Sequence, residues 1–327
     1  MCSMAEIGDI LFSLGLIAFG LSVGYVYRNY SAGKTKSEDE INELRKKLQA
    51  SAILFVNPLA FGGAIWALDL GDLRIFALPF LGAFAIILGG LLAYIAAKPL
   101  GLSRNQTGVY VVCGSFTNIG SIGSLVTFML LGEAAVAMLP FYKLFETFLY
   151  FGFGFPYAKS MSVSVTEDED LGGRIWNVVT DRFVVVAMAS IFGGLTLNLM
   201  GVQRPSFYPT LILFLIPLGT LLLLSSIGMA MRFGRMRAYL KEASVISAIK
   251  FVLVPTSVYL LGSFIGLGSV DGGLPLKVAV TLASMPVAFT AMVPPTLYGL
   301  DVDLANTNWF VTTTLLLVVV PVLSLVL

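Results

Sequence analysis

Two groups of polar, glycine and proline residues interrupt apolar stretches that are otherwise long enough to form membrane helices. The group at the first interruption, within 109–131, consists of Gly114, Ser115, Thr117, Asn118, Gly120 and Gly123. The group at the second, within 274–297, consists of Ser284, Pro286, Val287, Thr290, Pro294 and Pro295. Hydroxyl and amide groups donate to carboxylates or accept from cations, and a proline leaves an upstream carbonyl without its amide partner. The two groups are therefore candidates for one site that binds a small ion or an organic anion.

The two interruptions recur at a constant distance along the chain. Ser115 and Ser284 are 169 residues apart, and so are Lys98 and Leu267, which end the preceding apolar stretches. Irregular backbone survives at membrane depth only where it is buried in protein or lines a cavity, and matching interruptions in two halves of a chain indicate a secondary transporter. The alternative is that glycine and proline simply kink these helices, as they often do in membranes.

The composition is that of an integral membrane protein. Hydrophobic residues make up 57% of the 327 residues, charged residues make up 12%, and the mean hydropathy is +0.90. A helix of about 20 apolar residues crosses the hydrocarbon core. On this basis we predict ten spans, at 7–27, 50–68, 75–97, 109–131, 134–157, 183–200, 207–231, 245–267, 274–297 and 304–327.

The loops between these spans differ strongly in charge. Of the 20 Lys and Arg residues, most fall on one side of the membrane, namely Arg28, Lys34, Lys36, Arg45, Lys46, Lys47, Lys98, Arg104, Lys159, Arg174, Arg182, Arg232, Arg235, Arg237 and Lys241. The other side has only Arg74, Arg204 and Lys277. Because cytoplasmic loops are enriched in Lys and Arg, we predict that both termini are non-cytoplasmic.

Two polar segments on the basic side stand apart from the spans. Residues 37–48 begin with a capping serine, followed by early acidic and late basic residues, which predicts a short cytoplasmic helix leading into the second span. An acidic cytoplasmic linker is predicted over 158–182. It separates a first repeat, 1–157 with helices one to five, from a second, 183–327 with helices six to ten.

Four polar residues inside predicted spans are further candidates. Lys143 and Glu146 are three residues apart on one helix face, where they form either a structural ion pair or a group that couples transport to an ion. Lys250 is predicted near the cytoplasmic end of its span, where its ammonium extends to the interface. Asn57 precedes Pro58 and is predicted to face the substrate from the side of the binding site opposite the two interruptions.

The interrupted segments resemble the auxin efflux carrier family, whose plant members are the PIN proteins. The run from Asn118 to Gly123 is similar to the family's N-x-G-x-x-G motif. The residues at 283–286 and 298–305 resemble its second crossover and the helix start that follows. Weaker similarities lie at 216–218, 227–229 and 250–255. The similarity extends over nearly the whole chain.

The resemblance implies an all-α membrane fold with ten helices in an inverted five-plus-five repeat, like that of bile acid symporters and sodium-proton antiporters. Helices four and nine would be broken and would cross. Helices one, two, six and seven would form a scaffold and a homodimer contact, while helices three to five and eight to ten would move as a transport domain. Thr117, Leu125 and Val287 depart from residues common in the family, which argues against assuming auxin itself as substrate.

Three classes of function follow. The first is an elevator-type carrier of small organic anions, typically carboxylates and including auxin-like compounds. The second is a sodium-coupled symporter of the bile acid transporter type, whose oxygen ligands would come from Ser115, Thr117, Asn118, Ser284 and Thr290, without a carboxylate in either break. The third is an intramembrane enzyme or a receptor without transport. The enzyme is disfavoured because the chain has no histidine and no paired intramembrane aspartates. We expect no cofactor, no metal and no nucleic-acid partner.

Overall fold

A computed structural model describes residues 4–32, 35–162, 180, 182–231 and 236–327. Over these residues the architecture is helical, and eight helices are long and apolar enough to cross a membrane. Large apolar side chains cover the outside of the bundle; Phe264 is 88% exposed and Phe80 is 66% exposed. An apolar exterior of this kind is suited to lipid. The chain is an integral membrane protein.

We number the helices in chain order. Those that precede the predicted linker are α1 (Met4–Ser31), α2 (Glu38–Trp66), α3 (Leu73–Ala97), α4 (Arg104–Ser115), α5 (Ile119–Leu131) and α6 (Glu133–Met161). Those that follow it are α7 (Arg182–Leu199), α8 (Tyr208–Ala230), α9 (Met236–Phe264), α10 (Leu274–Ala283), α11 (Val293–Leu297) and α12 (Val302–Val326). Most of the predicted linker, at 163–179 and 181, lies outside the described residues.

Both predicted interruptions are present as breaks between helices. α4 ends at Ser115 and α5 begins at Ile119, while α10 ends at Ala283 and a 3₁₀ turn, Phe289–Met292, precedes α11. The other eight predicted spans each correspond to one long helix. The predicted helix at 37–48 is also confirmed: Ser37 accepts from the Glu40 amide at 3.2 Å, and the Ser37 amide donates to the Glu40 carboxylate at 2.7 Å. This helix continues without a break as the first part of α2.

Three of the long helices contain a widened π turn two residues before a proline. The turns are Ala52–Val56, Tyr150–Gly154 and Ile249–Leu253, and the prolines are Pro58, Pro156 and Pro255. Proline lacks an amide donor and its ring clashes with a carbonyl one turn earlier, and local π geometry in membrane helices relieves this conflict. Each turn also changes which side chains of its helix face inward. Side chains that follow the turn therefore point in directions that differ from those in a regular α-helix.

The helices pack in two closely associated groups. α1 runs along α8, and α2 packs against α7 and α8. α3 packs against α4, and α9 packs against α10 and α12, while α4 also contacts α6. Glycine permits the closest approach between α1 and α8, because a Cβ on Gly24 would lie only 2.0 Å from the Ser225 carbonyl oxygen. The first broken segment lies where these groups meet, since α5 contacts both α1 and α8.

Candidate functional site

The two breaks contact each other through their backbones. Thr117 and Val287 form an antiparallel bridge. On one side of it the Asn118 amide donates to the Pro286 carbonyl at 2.9 Å, and on the other the Ala288 amide donates to the Phe116 carbonyl at 2.9 Å. Each break thereby supplies partners for backbone groups that the other has released from helical bonding, as a non-aqueous environment requires. The two interrupted segments form one structural unit.

A cavity of about 990 Å³ reaches this unit from the end of the bundle that carries the first turns of α2. Seven of the candidate residues line it: Asn57, Thr117, Asn118, Gly120, Lys143, Glu146 and Thr290. Most of the remaining wall is apolar and aromatic, including Phe61, Phe148, Phe151, Phe183 and Phe289. Charged residues of α2, among them Arg45 and Lys46, line the outer part. The cavity has a polar inner end at the breaks and an apolar body.

Asn118 presents an unused donor at this inner end. Its side chain is 6% exposed, and its Oδ1 accepts from the Ser121 hydroxyl at 2.5 Å. The Nδ2 group makes no hydrogen bond with any residue that the structure describes, although the side chain lines the cavity. A buried amide without a partner costs about 1–3 kcal/mol. The Nδ2 group is therefore a buried donor without a partner, on a residue that lines the inner end of the cavity.

Lys143 and Glu146 lie beside Asn118, at a turn in the middle of α6. Lys143 Nζ is 3.7 Å from Glu146 Oε2, so the two groups form an ion pair, and it is 3.7 Å from the position that a Cβ on Gly120 would occupy. The Lys143 side chain is 35% exposed, against 16% for Glu146. The ammonium is thus the more accessible member of the pair. It lies close to the first turn of α5.

Other predicted site residues point away from the cavity. Ser115 and Ser284 are buried; the Ser284 hydroxyl donates to the Val280 carbonyl at 2.8 Å, and Ser115 packs against Gly90 on α3. Pro286 and Val287 contribute backbone to the pairing of the breaks, but the described cavity wall does not include them. Thr290 does line the cavity, and its carbonyl accepts from the Tyr150 hydroxyl at 2.6 Å.

The glycines of the first break differ in what surrounds them. A Cβ on Gly114 would lie 2.5 Å from the Gly89 carbonyl oxygen on α3, so glycine is needed there for close approach of the two helices. A Cβ on Gly123 would meet neighbours at 3.2 Å, whereas Gly120 faces open space apart from Lys143. Of these three glycines, Gly114 is thus the one most tightly constrained by packing. In the second break, Pro294 and Pro295 are buried in α11.

The prediction that Lys250 extends to the membrane interface is wrong. Its side chain is only 1% exposed, and its Nζ donates to Thr117 Oγ1 at 2.6 Å and to the Gly114 carbonyl at 3.2 Å. The error arose from the predicted start of the eighth span at residue 245. α9 begins at Met236 and has 29 residues, which places Lys250 near its middle.

A second charged contact, also missed from the sequence, lies at the opposite end of the bundle. Arg204, in the loop before α8, pairs with Glu133 at the start of α6 and donates to the Gly63 carbonyl on α2 at 2.9 Å. Nearby, the Trp66 indole donates to the Val202 carbonyl at 2.7 Å. The described cavity wall includes no residue of this end. The contacts join α2 and α6 on the side away from the cavity opening.

No protein-family model matches the chain. An uncharacterized transporter of Methanothermobacter thermautotrophicus is 25% identical to it over 240 residues, which cover 73% of this chain and 74% of that protein. With the eight apolar helices, this similarity supports a membrane transporter.

Proposed function

We propose that the protein is a secondary transporter of small organic anions, and that the crossing of the two broken helices is its binding site. The observation that carries the proposal is the pair of donors at the inner end of the cavity. Asn118 has a free Nδ2, and Lys143 places an ammonium close to Gly120. A carboxylate accepts hydrogen bonds from both kinds of group, and the bonds are stronger because charge is involved.

The dipole of α5 also favours a negatively charged ligand at this position. α5 begins at Ile119, directly after Asn118, so the positive end of its dipole lies at the cavity wall. In transporters with discontinuous helices, such ends face anionic substrate groups near the middle of the membrane. The aromatic body of the cavity suits the apolar part of an organic acid. We therefore favour carboxylates over inorganic anions.

For the transport cycle we propose an elevator-type motion of a ten-helix, five-plus-five inverted repeat, in which α4–α5 and α10–α11 are the crossing fourth and ninth helices. The packing of α1 with α8 and of α2 with α7 supports a scaffold of these four helices, with α3–α6 and α9–α12 as the moving part. A homodimer would form through the scaffold. The pairing of Arg204 with Glu133 would then hold the two parts together at the closed end.

Membership of the auxin efflux carrier family remains part of this proposal. It is supported by the motif from Asn118 to Gly123 and by the contact between the two breaks. The distant relative, an uncharacterized transporter, is consistent with it.

A ligand screen followed by transport tests this function. The purified protein would be heated with a panel of monocarboxylates, dicarboxylates and indole acids, because a ligand that binds only the folded state raises the melting temperature. The strongest ligand would then be followed into proteoliposomes as a radiolabelled compound. We expect saturable uptake that unlabelled ligand inhibits. Absence of both stabilisation and uptake for every acid in the panel would reject the proposal.

The proposed orientation predicts which loops an impermeant thiol reagent can reach in intact cells. Ser160 lies in the last turn of α6 on the basic side and is exposed, so Ser160→Cys should stay unlabelled in a background without Cys2 and Cys113. Gln203 is exposed on the opposite side, and Gln203→Cys should react. Permeabilised cells should label both variants. If Ser160→Cys alone is labelled in intact cells, the orientation is opposite to the one proposed.

A further inference from the structure

Lys250 is a fully buried lysine bound by neutral oxygen atoms. Its Nζ donates to a hydroxyl, Thr117 Oγ1, and to a backbone carbonyl, Gly114 O. It forms no salt bridge with any carboxylate of the described residues. Among the described residues, Glu146 and Cys113 interact electrostatically with the ammonium. A charge in this position is costly inside a membrane protein and requires a specific reason.

The Gly114 carbonyl is available because of the helix break. In a continuous helix it would accept from the amide of Asn118, four residues later. That amide donates instead to Pro286 in the other broken segment. The carbonyl is also at the negative end of the α4 dipole, where a cation is stabilised. The crossing thus creates a position with the ligands and the potential of a cation site.

A further polar side chain lies in the same cluster. Asn308 on α12 is 0% exposed and neighbours Cys113, which in turn neighbours Lys250. Its amide has no nitrogen or oxygen partner among the described residues, and the group that it approaches is the Cys113 sulfur. Its Oδ1 is a further buried amide oxygen in the neighbourhood of Cys113. Carbonyl, hydroxyl and amide oxygens together are ligands of a monovalent cation such as sodium.

We propose that the ammonium of Lys250 is a tethered cation that occupies a monovalent-cation position at the carboxyl end of α4. Freed carbonyls and the carboxyl ends of half-helices bind coupling ions in other discontinuous-helix transporters. Here the side chain of α9 fills that position and holds the crossing without an added ion. The π turn at Ile249–Leu253 carries Lys250. The inference concerns this cluster alone and does not depend on which substrate is transported.

Removing the side chain should open the position to a free cation. The melting temperature of Lys250→Ala would be measured in choline chloride, with sodium, potassium, ammonium or methylammonium added at constant ionic strength. We expect a melting temperature below that of the wild-type protein in choline, and recovery of at least half of the difference with one of the small cations. The wild-type melting temperature should be the same in choline and in sodium.

Lys277→Met on α10 is the matched control, because it removes a lysine that is not in this cluster and should give no cation-dependent recovery. If Lys250→Ala does not fold in choline, its folded yield after purification with and without methylammonium replaces the titration. Recovery in methylammonium supports the proposal. Equal melting temperatures, or equal yields, in choline and in every small cation would reject it. Sodium-dependent stabilisation of the wild-type protein would also reject it, because the cation position would then not be filled.

Discussion

Lys143→Met is expected to lower the free energy of unfolding by about 3 kcal/mol, the low end of the cost of breaking a buried ion pair. The substitution leaves the Glu146 carboxylate, whose side chain is only 16% exposed, without its ion-pair partner. Glu146→Gln should cost less, because the Lys143 ammonium is 35% exposed and can be hydrated from the cavity. Unfolding in mixed micelles of mild detergent and SDS would measure both variants.

The double variant separates a structural pair from a group that acts on the substrate. Lys143→Met with Glu146→Gln should be more stable than Lys143→Met alone, because no uncompensated charge is left. If Lys143 binds the anion, Glu146→Gln should bind it at least as tightly as the wild-type protein, while both variants that lack Lys143 lose affinity. Loss of pH-dependent transport in a normally folded Glu146→Gln would instead indicate a coupling role. Equal stability of all three variants would contradict the account of the pair.

Gly114→Ala should also destabilise the protein, by about 3 kcal/mol or more, since overpacking in a close-packed interior typically costs 1–3 kcal/mol and here the obstacle is backbone. The new Cβ would lie 2.5 Å from both the Gly89 carbonyl oxygen and the Ala93 Cβ. This clash is removed only if α3 and α4 move apart. Separation would also displace the Gly114 carbonyl from the Lys250 ammonium. The melting temperature of the purified variant measures the effect.

Gly120→Ala is the matched control, because it makes the same chemical change six residues away in the same break. Its Cβ would have only Lys143 Nζ within 4 Å, at 3.7 Å. We expect stability equal to or slightly above that of the wild-type protein, since alanine in a helix is favoured over glycine by roughly 0.5–1 kcal/mol. If Gly120→Ala is destabilised and Gly114→Ala is not, the tight contact between α3 and α4 does not lie at Gly114, and the account of this break is contradicted.

The sequence was informative about the places where helices cannot be continuous. Runs containing Gly114 and Pro286 interrupt long apolar segments, and helices end close to both, at Ser115 and at Ala283. Pro286 has no amide donor with which to continue the helix. The capped helix start at Ser37 was equally predictable, since its hydrogen bonds are local. Such features depend on a few neighbouring residues.

The orientation of side chains at the breaks was not predictable from sequence. Ser115 and Asn118 are three residues apart, yet one packs against Gly90 and the other lines the cavity, because the intervening backbone is extended at Phe116. The position of Lys250 was mispredicted because polar residues at 237–242 resemble a loop, although they belong to the first turns of α9. A π turn at Ile249–Leu253 also changes the direction in which the Lys250 side chain points. Both outcomes depend on contacts between distant parts of the chain.

We propose that an anion binds at the crossing through Asn118, and the affinity of the best carboxylate for Asn118 variants tests this binding most directly. By titration calorimetry, Asn118→Ala should bind about ten- to a hundredfold more weakly, as expected for loss of a charge-assisted hydrogen bond of about 1.5–3 kcal/mol. Asn118→Asp keeps an acceptor for Ser121 but adds negative charge, so it should bind more weakly still. Ser284→Ala, in the second break but away from the cavity, should bind like the wild-type protein. Unchanged affinity in Asn118→Ala would place the binding site elsewhere.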